Sequence, residues 1–223
     1  MSKSFVVAID GPSGAGKSTV AKMVAERCGF YYLDTGMMYR AVTAAILEKG
    51  ISPNNIQKII ETVSLFDIKI EKDRVLIDNK DFIDKIRKEE VTAAVSAVSA
   101  VKEVREKLVM LQREFASGNK IVMDGRDIGT VVFPDAFCKI FLDASLEERA
   151  KRRLKDLGWS DDRLNEVMEN LKKRDFLDSN RKESPLRKAE DAVIIDTTNL
   201  TKDEVVEKII YIINQRLKGG GYA

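Results

Sequence analysis

The sequence predicts an α/β fold in which a parallel sheet is flanked by helices. Short apolar runs with the length of buried strands alternate along the chain with segments that have the apolar spacing of helices. These runs are residues 5–9, 31–33, 121–123, 140–142 and 193–195. With 44% apolar and 33% charged residues in a chain of 223, the composition is that of a globular domain. We therefore expect a five-stranded parallel sheet in a single domain that covers residues 1–223.

Charge, cysteine and histidine content narrow the classes of protein that fit. The formal net charge of +2 is too small to predict a nucleic-acid or membrane partner. Two widely spaced cysteines, Cys28 and Cys138, give no disulfide framework, and the lack of histidine excludes imidazole ligands and Ser-His or Cys-His catalysis. The sequence has no signal-peptide pattern and no apolar run near the roughly 20 residues of a membrane span. We expect a cytoplasmic monomer.

A glycine-rich turn joins the first predicted strand to the first predicted helix. Residues 11–18 read Gly-Pro-Ser-Gly-Ala-Gly-Lys-Ser and fit the pattern G-x-x-x-x-G-K-[ST]. The glycines let successive backbone N–H groups point inward at a phosphate, and the helix predicted from Thr19 to Cys28 adds its positive end. The pattern predicts the P-loop NTPase fold.

This turn is the predicted site for a nucleoside triphosphate. Lys17 supplies a cation for the β- and γ-phosphates, and Ser18 supplies a hydroxyl for Mg²⁺. The residues predicted to bind the triphosphate are Gly11, Pro12, Ser13, Gly14, Ala15, Gly16, Lys17, Ser18 and Thr19.

The second predicted strand leads into a helix that we expect to run to about Lys49. Thr35 is the predicted N-cap of this helix, and Gly50 ends it. Arg40 lies on its first turns, near the carboxyl edge of the sheet, where ligands bind in open α/β sheets. It is a candidate phosphate ligand, with a solvated surface arginine as the alternative.

The next part of the chain interrupts the alternation of strand and helix. After a helix predicted over residues 54–63, residues 66–70 alternate apolar and polar side chains, and residues 75–77 form a second strand-like run. Lys72 and Asp73 have the character of a turn between them, so we predict an inserted antiparallel hairpin. Residues 89–117 then have helical spacing and predict one long helix or two joined ones.

The predicted strand at residues 121–123 ends in Asp124. A carboxylate at this place in a P-loop fold can hold Mg²⁺ opposite Ser18, so Asp124 is a possible metal ligand. The following residues place Arg126 and Asp127 beside the predicted phosphate site. A structural ion pair in this turn is the alternative to a role in binding.

A basic segment follows the strand at residues 140–142. Residues 149–188 contain 13 Lys or Arg and 8 Asp or Glu, an excess of five positive charges. The pattern Ser145-x-x-Glu148 begins its first helix, Gly158 ends that helix, and a second helix is predicted to about Ser179. We interpret the segment as a mobile flap over phosphates, with a solvated helix face as the alternative.

The arginines indicate a class of reaction. Arginine binds phosphate through a planar fork, and Arg40, Arg126, Arg174 and Arg181 together suit an anionic acceptor. The guanine-reading Asn-Lys-x-Asp of GTPases is absent from the sequence. These observations favour a small phosphotransferase whose acceptor carries a phosphate. The alternatives are a kinase for another small acceptor, such as UMP or shikimate, and a nucleotide-gated module that holds RNA on its basic segment.

Three stretches of sequence resemble the bacterial cytidylate kinase family. They are residues 9–18, residues 33–40 (Leu-Asp-Thr-Gly-Met-Met-Tyr-Arg) and residues 124–136 (Asp-Gly-Arg-Asp-Ile-Gly-Thr-Val-Val-Phe-Pro-Asp-Ala). The resemblance implies an enzyme that transfers the γ-phosphate of ATP to CMP or dCMP with the help of Mg²⁺. It implies three parts in the domain: a core of residues 1–62, 106–148 and 182–223, a CMP-binding insert at about 63–105, and a lid at about 149–181.

The resemblance also implies roles for single residues. Those implied to bind CMP are Thr35, Arg40, Ser96, Arg105, Arg126, Asp127, Arg174, Asp178 and Arg181. Those implied to act in catalysis are Lys17, Arg126, Arg174 and Arg181. Among them, the residues that resemble the cytosine-reading group of the family are Ser96, Arg105 and Asp127.

Overall fold

The structure is a computed structural model that describes residues 5–71 and 74–219. Its strands are β1 (Phe5–Asp10), β2 (Tyr31–Asp34), β3 (Ile68–Glu71), β4 (Arg74–Ile77), β5 (Lys80–Asp81), β6 (Lys120–Gly125), β7 (Cys138–Asp143) and β8 (Val193–Asp196). Five of them form a parallel sheet in the order β2-β6-β1-β7-β8, and β3, β4 and β5 form a small antiparallel sheet. The predicted α/β fold with an inserted antiparallel unit is confirmed.

The helices flank the parallel sheet or extend the insert. They are α1 (Lys17–Cys28), α2 (Thr35–Glu48), α3 (Ile56–Leu65), α4 (Glu89–Ser99), α5 (Lys102–Ala116), α6 (Leu146–Leu157), α7 (Leu164–Asn180) and α8 (Lys202–Gly219). Of the two possibilities left open for residues 89–117, the structure has two helices, α4 and α5. A π-helical turn covers Ile128–Val132, and a 3₁₀ turn covers Asp161–Arg163.

The predicted N-cap of α2 is wrong by one residue. The Asp34 carboxylate accepts a hydrogen bond from the Met37 backbone N–H at 2.9 Å, which makes Asp34 the cap. The Thr35 side chain is buried and instead donates to the Asp124 carbonyl oxygen at 2.7 Å. The hydroxyl of Thr35 therefore ties the first turn of α2 to the end of β6.

The two faces of the parallel sheet carry separate hydrophobic cores. Along β1, Val6 and Ala8 belong to one core, and Val7 and Ile9 to the other, as the alternation of side chains in a strand requires. The first core joins the sheet to α2–α5 and to the small antiparallel sheet. The second core packs α1 and α8 against the opposite face. Both cores hold the carboxyl ends of β1 and β6 in place, and the candidate site lies at that edge.

A third cluster lies between α6 and α7, apart from both cores. Its buried residues are Ala150, Leu154, Val167 and Leu171. The turn predicted at Lys72 and Asp73 lies outside the described residues. Over residues 5–71 and 74–219, none of the helices combines the length and the hydropathy that a bilayer crossing requires.

Candidate active site

The glycine-rich loop after β1 is shaped by close contact with β7. Gly11 has a φ of 150°, and a Cβ atom there would lie 2.0 Å from the Leu142 carbonyl oxygen. Gly14 has a φ of 81°, and its added Cβ would lie 3.1 Å from Cβ of Arg149. Both positions therefore require glycine, and the loop lies directly on β7 and α6.

Lys17 is the first residue of α1, and its side chain turns back into the loop. It is only 6% exposed, and its Nζ donates a hydrogen bond to the Pro12 carbonyl oxygen at 2.6 Å. Burial, and then the nearby Arg126 guanidinium, hold the pKa of Lys17 well below its usual range. A buried cation with one hydrogen-bond partner is suited to an anionic ligand that offers more acceptors.

Ser18, Tyr32 and Asp124 form a hydrogen-bonded group beside Lys17. Ser18 Oγ donates to Asp124 Oδ2 at 2.8 Å, and the Tyr32 hydroxyl donates to Oδ1 at 2.9 Å. Burial raises the pKa of Asp124 to about 7, and the Asp34 carboxylate adds to the shift. Sequence reasoning missed Tyr32. The only signal was its place in the neighbouring strand, at the same carboxyl edge.

Asp127 lies buried between two guanidinium groups. Arg105 Nη2 pairs with Asp127 Oδ2, and Arg181 Nη2 lies 3.6 Å from Oδ1. The Arg105 guanidinium also stacks on the Tyr39 ring, 5.1 Å from its centroid, and its Nη1 donates to the Ser99 carbonyl oxygen. The alternative reading of this turn, an ion pair between Asp127 and Arg126, does not occur.

Arg126 instead pairs with α7 and faces other arginines. Its Nε donates to Asp178 Oδ2 at 3.0 Å. Arg174 Nη1 donates to Ser13 Oγ at 3.3 Å, and its buried Nε has no hydrogen-bond partner among the described residues. Burial, followed by repulsion from Arg126 and Arg40, lowers the pKa of Arg174 to about 9. The cluster is therefore short of negative charge.

Arg40 completes the cluster from α2. Its Nη1 donates to the Ile86 carbonyl oxygen at 3.3 Å and to Thr92 Oγ1 at 3.1 Å. Burial, and then repulsion from Arg153 and Arg126, lower its pKa to about 10. Arg40 is half-buried and faces the other arginines, so the interpretation as a solvated surface arginine is wrong.

The predicted residues line two adjoining cavities at the carboxyl edge of the sheet. A cavity of about 470 Å³ is lined by residues 13–19, Arg40 and Asp124. A smaller cavity of about 50 Å³ is lined by residues that include Thr35, Ser96, Arg105, Asp127, Asp178 and Arg181. Arg126 and Arg174 line both. Two of the predicted site residues, Gly11 and Pro12, line neither cavity. They contribute to the shape of the loop.

Asp10, at the end of β1, was also missed by sequence reasoning. Its Oδ1 accepts from the Ile128 backbone N–H at 2.9 Å, and its Oδ2 accepts from the Gly129 N–H at 2.8 Å. The carboxylate thereby fastens the segment after Asp127 to the strand that precedes the glycine-rich loop. Burial raises the pKa of Asp10 to about 6 even though the two backbone hydrogen bonds lower it.

We predict a pH-dependent stability difference between wild type and Asp10→Asn. Because the pKa of Asp10 is raised on folding, stability that is present below about pH 4 is lost as the pH rises through 6. The wild-type free energy of unfolding, minus that of Asp10→Asn, should fall by about 2 kcal/mol between pH 4 and pH 7. Urea unfolding at each pH measures it, with exposed Asp135→Asn as control. A difference independent of pH would contradict the raised pKa.

Comparison with known proteins gives one consistent family. The family model for cytidylate kinase matches residues 7–215. The cytidylate kinase of Caldanaerobacter subterraneus subsp. tengcongensis is 52% identical over 215 residues, which are 96% of this chain and 96% of that protein. The cytidylate kinase of Clostridioides difficile is 46% identical over 95% of this chain and 99% of that protein.

Solved structures support the fold. An uncharacterised protein from Eubacterium ventriosum has a crystal structure that matches this chain with a TM-score of 0.54. It is 16% identical, and the match covers 96% of this chain and 99% of that chain. The likeness at this identity concerns the fold alone.

Proposed function

We propose that the site of this chain, which belongs to the cytidylate kinase family, is divided into a donor half and an acceptor half. Three stretches of its sequence already indicated that family. The enzyme transfers the γ-phosphate of ATP to CMP or dCMP and releases ADP. ATP binds at the loop of residues 11–19, and the acceptor binds beside it, with its base in the smaller cavity and its phosphate toward Arg40 in the larger one. The observation that supports this division is that Arg126 and Arg174 line both cavities, where a transferring phosphoryl group would lie.

In the donor half, backbone N–H groups of the loop and the amino end of α1 bind the triphosphate. Lys17 leaves the Pro12 carbonyl and pairs with the β- and γ-phosphates. Since its buried ammonium has a lowered pKa in the free protein, a polyanion restores the charged form. The gain in charge pairing is largest when negative charge grows in the transition state.

Ser18 and Asp124 are the residues that would hold Mg²⁺. A hydroxyl and a carboxylate are hard oxygen donors, which Mg²⁺ prefers, and the two side chains already lie within 2.8 Å of each other. The residues of 5–71 and 74–219 contain no group of three or more acidic, cysteine or histidine side chains arranged for a metal. Phosphate oxygens and water would complete the set of ligands. When bound, Mg²⁺ neutralises charge on the phosphates.

In the acceptor half, the arginines bind the phosphate of CMP, and a buried group that includes Asp127 and Arg105 recognises the base. The guanidinium groups are those of Arg40, Arg126, Arg174 and Arg181. Their combined positive charge is larger than the combined negative charge of the nearby carboxylates. Asp127, Arg105 and Ser96 face the cytosine edge. Asp178 holds Arg126 in place beside the ribose and phosphate.

The reaction requires no strong base. An oxygen of the CMP phosphate, ionised near neutral pH, forms a bond to the γ-phosphorus in line with the bond to the β,γ-bridging oxygen, which breaks. The electron pair leaves with ADP. Catalysis consists of positioning the two phosphates and neutralising spreading charge through Lys17 and the arginines. A chain without histidine can therefore perform it.

A coupled assay of ADP release with ATP and each of CMP, dCMP, UMP and AMP tests the proposal. We expect CMP and dCMP to be phosphorylated well and UMP and AMP poorly. Preference for UMP, or for an acceptor without a base, would support the alternative of a different kinase. No CDP together with strong, salt-dependent RNA binding would support the RNA-holding alternative. We also propose that the enzyme is cytoplasmic and monomeric, and sedimentation of the full chain tests the monomeric state.

We predict that the site closes when both nucleotides are bound. Transfer to an acceptor requires that water be excluded, since hydrolysis of ATP otherwise competes. Hydrogen exchange should slow at residues 66–105 and 149–181 when CMP and an unreactive ATP analogue are both present. Exchange in the second half of α8, residues 210–219, serves as the internal control, because Lys202 and Val205, which line the larger cavity, lie in its first half. Unchanged exchange in both segments would contradict a closing enzyme.

A further inference from the structure

Two charged residues outside the predicted site, Arg149 and Asp175, form hydrogen bonds with the Ser13 backbone in the glycine-rich loop. The Ser13 backbone N–H donates to Asp175 Oδ1 at 3.2 Å. The Arg149 Nη1 donates to the Ser13 carbonyl oxygen at 3.0 Å and to Asp175 Oδ2 at 2.5 Å. Arg149 Nε donates to the Ala144 carbonyl oxygen at 3.0 Å. Both polar groups of the Ser13 backbone are thus engaged by one ion pair, which we call the Ser13 clamp.

The clamp is built into the packing of the molecule. The Arg149 side chain is 9% exposed and the Asp175 side chain 20% exposed, so both are largely removed from water. A Cβ atom on Gly14 would lie 3.1 Å from Arg149, so α6 lies against the loop one residue further on. Arg149 also neutralises the Asp175 carboxylate, which would otherwise repel phosphates bound at the loop.

The same helix that carries Asp175 also reaches the acceptor half. Arg174 donates to Ser13 Oγ, Asp175 accepts from Ser13 N–H, and one turn later Asp178 pairs with Arg126 at 3.0 Å. Residues 174, 175 and 178 lie within little more than one turn of α7. A shift of α7 against the loop therefore changes the donor and acceptor halves together.

We propose that Arg149 and Asp175 are positioning residues that couple ATP binding to acceptor binding through α7. They touch the backbone of the loop and not the reacting atoms, so they act through Ser13. The inference rests on the proposed division into donor and acceptor halves. Each nucleotide favours the same placement of α7 on the loop, so each raises the affinity for the other.

The test is Asp175→Asn, in which the amide oxygen can still accept from the Ser13 N–H but the ion pair with Arg149 is lost. Glu169→Gln, an exposed carboxylate on the same helix, is the matched control. Calorimetry of the full chain measures the Kd of CMP with and without an unreactive ATP analogue, and the Kd of the analogue with and without CMP. Steady-state assays give KM for ATP, KM for CMP and kcat.

We expect wild type and Glu169→Gln to bind CMP about tenfold more tightly when the analogue is present, within the usual range of coupling between sites. Asp175→Asn should reduce this factor to within about twofold of unity and raise KM for ATP about tenfold, with the Kd of CMP alone nearly unchanged. Arg149→Lys should lose coupling as well, and the double variant should lose no more than Asp175→Asn alone, since both act through one pair.

Three outcomes would overturn the proposal. In the first, wild type shows no coupling. In the second, Asp175→Asn has normal coupling and a normal KM. In the third, Asp175→Asn loses folded protein in urea, but its folded fraction keeps normal binding constants. The last outcome means that the ion pair serves stability alone. All three outcomes are compatible with CDP formation by wild type. If wild type formed no CDP, that result would instead contradict the proposed function.

Discussion

Lys17→Ala should lower kcat by about a thousandfold or more while the protein stays folded. The ammonium is buried at the start of α1 and, as far as residues 5–71 and 74–219 are concerned, donates only to the Pro12 carbonyl oxygen. It lies within the loop and neutralises charge that develops as the phosphoryl group moves. Its lowered pKa means that burial already disfavours the charged form, so its removal should leave folding stability nearly unchanged.

Lys22→Ala is the matched control for this prediction. Lys22 lies on the same helix, five residues later, with an exposed side chain. Its substitution should leave kcat within about twofold of wild type, as for most surface changes. Single-turnover transfer to CMP and urea unfolding, measured on all three proteins, complete the test. Near-normal turnover of folded Lys17→Ala would remove the loop lysine from the mechanism.

Asp127→Asn should narrow the preference for CMP over UMP. Cytosine offers an amino donor at N4, which a carboxylate accepts, whereas uracil offers an acceptor at O4. An Asn amide can present either a donor or an acceptor. We expect kcat/KM for CMP to fall by about 1–3 kcal/mol of transition-state binding, and kcat/KM for UMP to fall less or to rise.

The ratio of the two substrates separates base reading from structural support. Asp127 pairs with Arg105 and Arg181, so its substitution also weakens a buried charged group and lowers both values of kcat/KM. A purely structural role lowers both in equal proportion and leaves the CMP to UMP ratio unchanged. Exposed Asp135→Asn controls for loss of one charge nearby. An unchanged ratio in Asp127→Asn would reject the base-reading role.

The parts of the fold that sequence reasoning predicted have strong local patterns. Buried strands of a parallel sheet are continuous apolar runs, as in Val6–Ile9 and residues 121–123, and these were found at their predicted places. The glycine-rich loop follows from its spacing, because positive φ and close approach leave little choice of residue. Helix starts are weaker signals: Thr35 was the predicted cap of α2, but the Asp34 carboxylate accepts the hydrogen bond from the Met37 N–H.

The residues that sequence reasoning missed are held by contacts distant in the chain. Asp175 meets Ser13 across 162 positions, and Asp10 meets Ile128 across 118. No local spacing or periodicity records such a pairing, which depends on how the helices pack on the sheet. The ion-pair partner of Asp127 was uncertain for the same reason. Arg126 is its neighbour in the sequence, but Arg105 is the arginine that pairs with it in the structure.

The separate cluster between α6 and α7 allows the stability of this helix pair to change independently of the two cores of the sheet. Each buried Leu or Val there stabilises by about 1.5–3 kcal/mol, and the cluster shares no buried residue with either core of the sheet. We expect exchange of one side chain in this cluster to change the local stability of the two helices. The loop at Gly11 lies directly on β7, whereas the loop at Ser13 is held by Arg149 of α6 and Asp175 of α7.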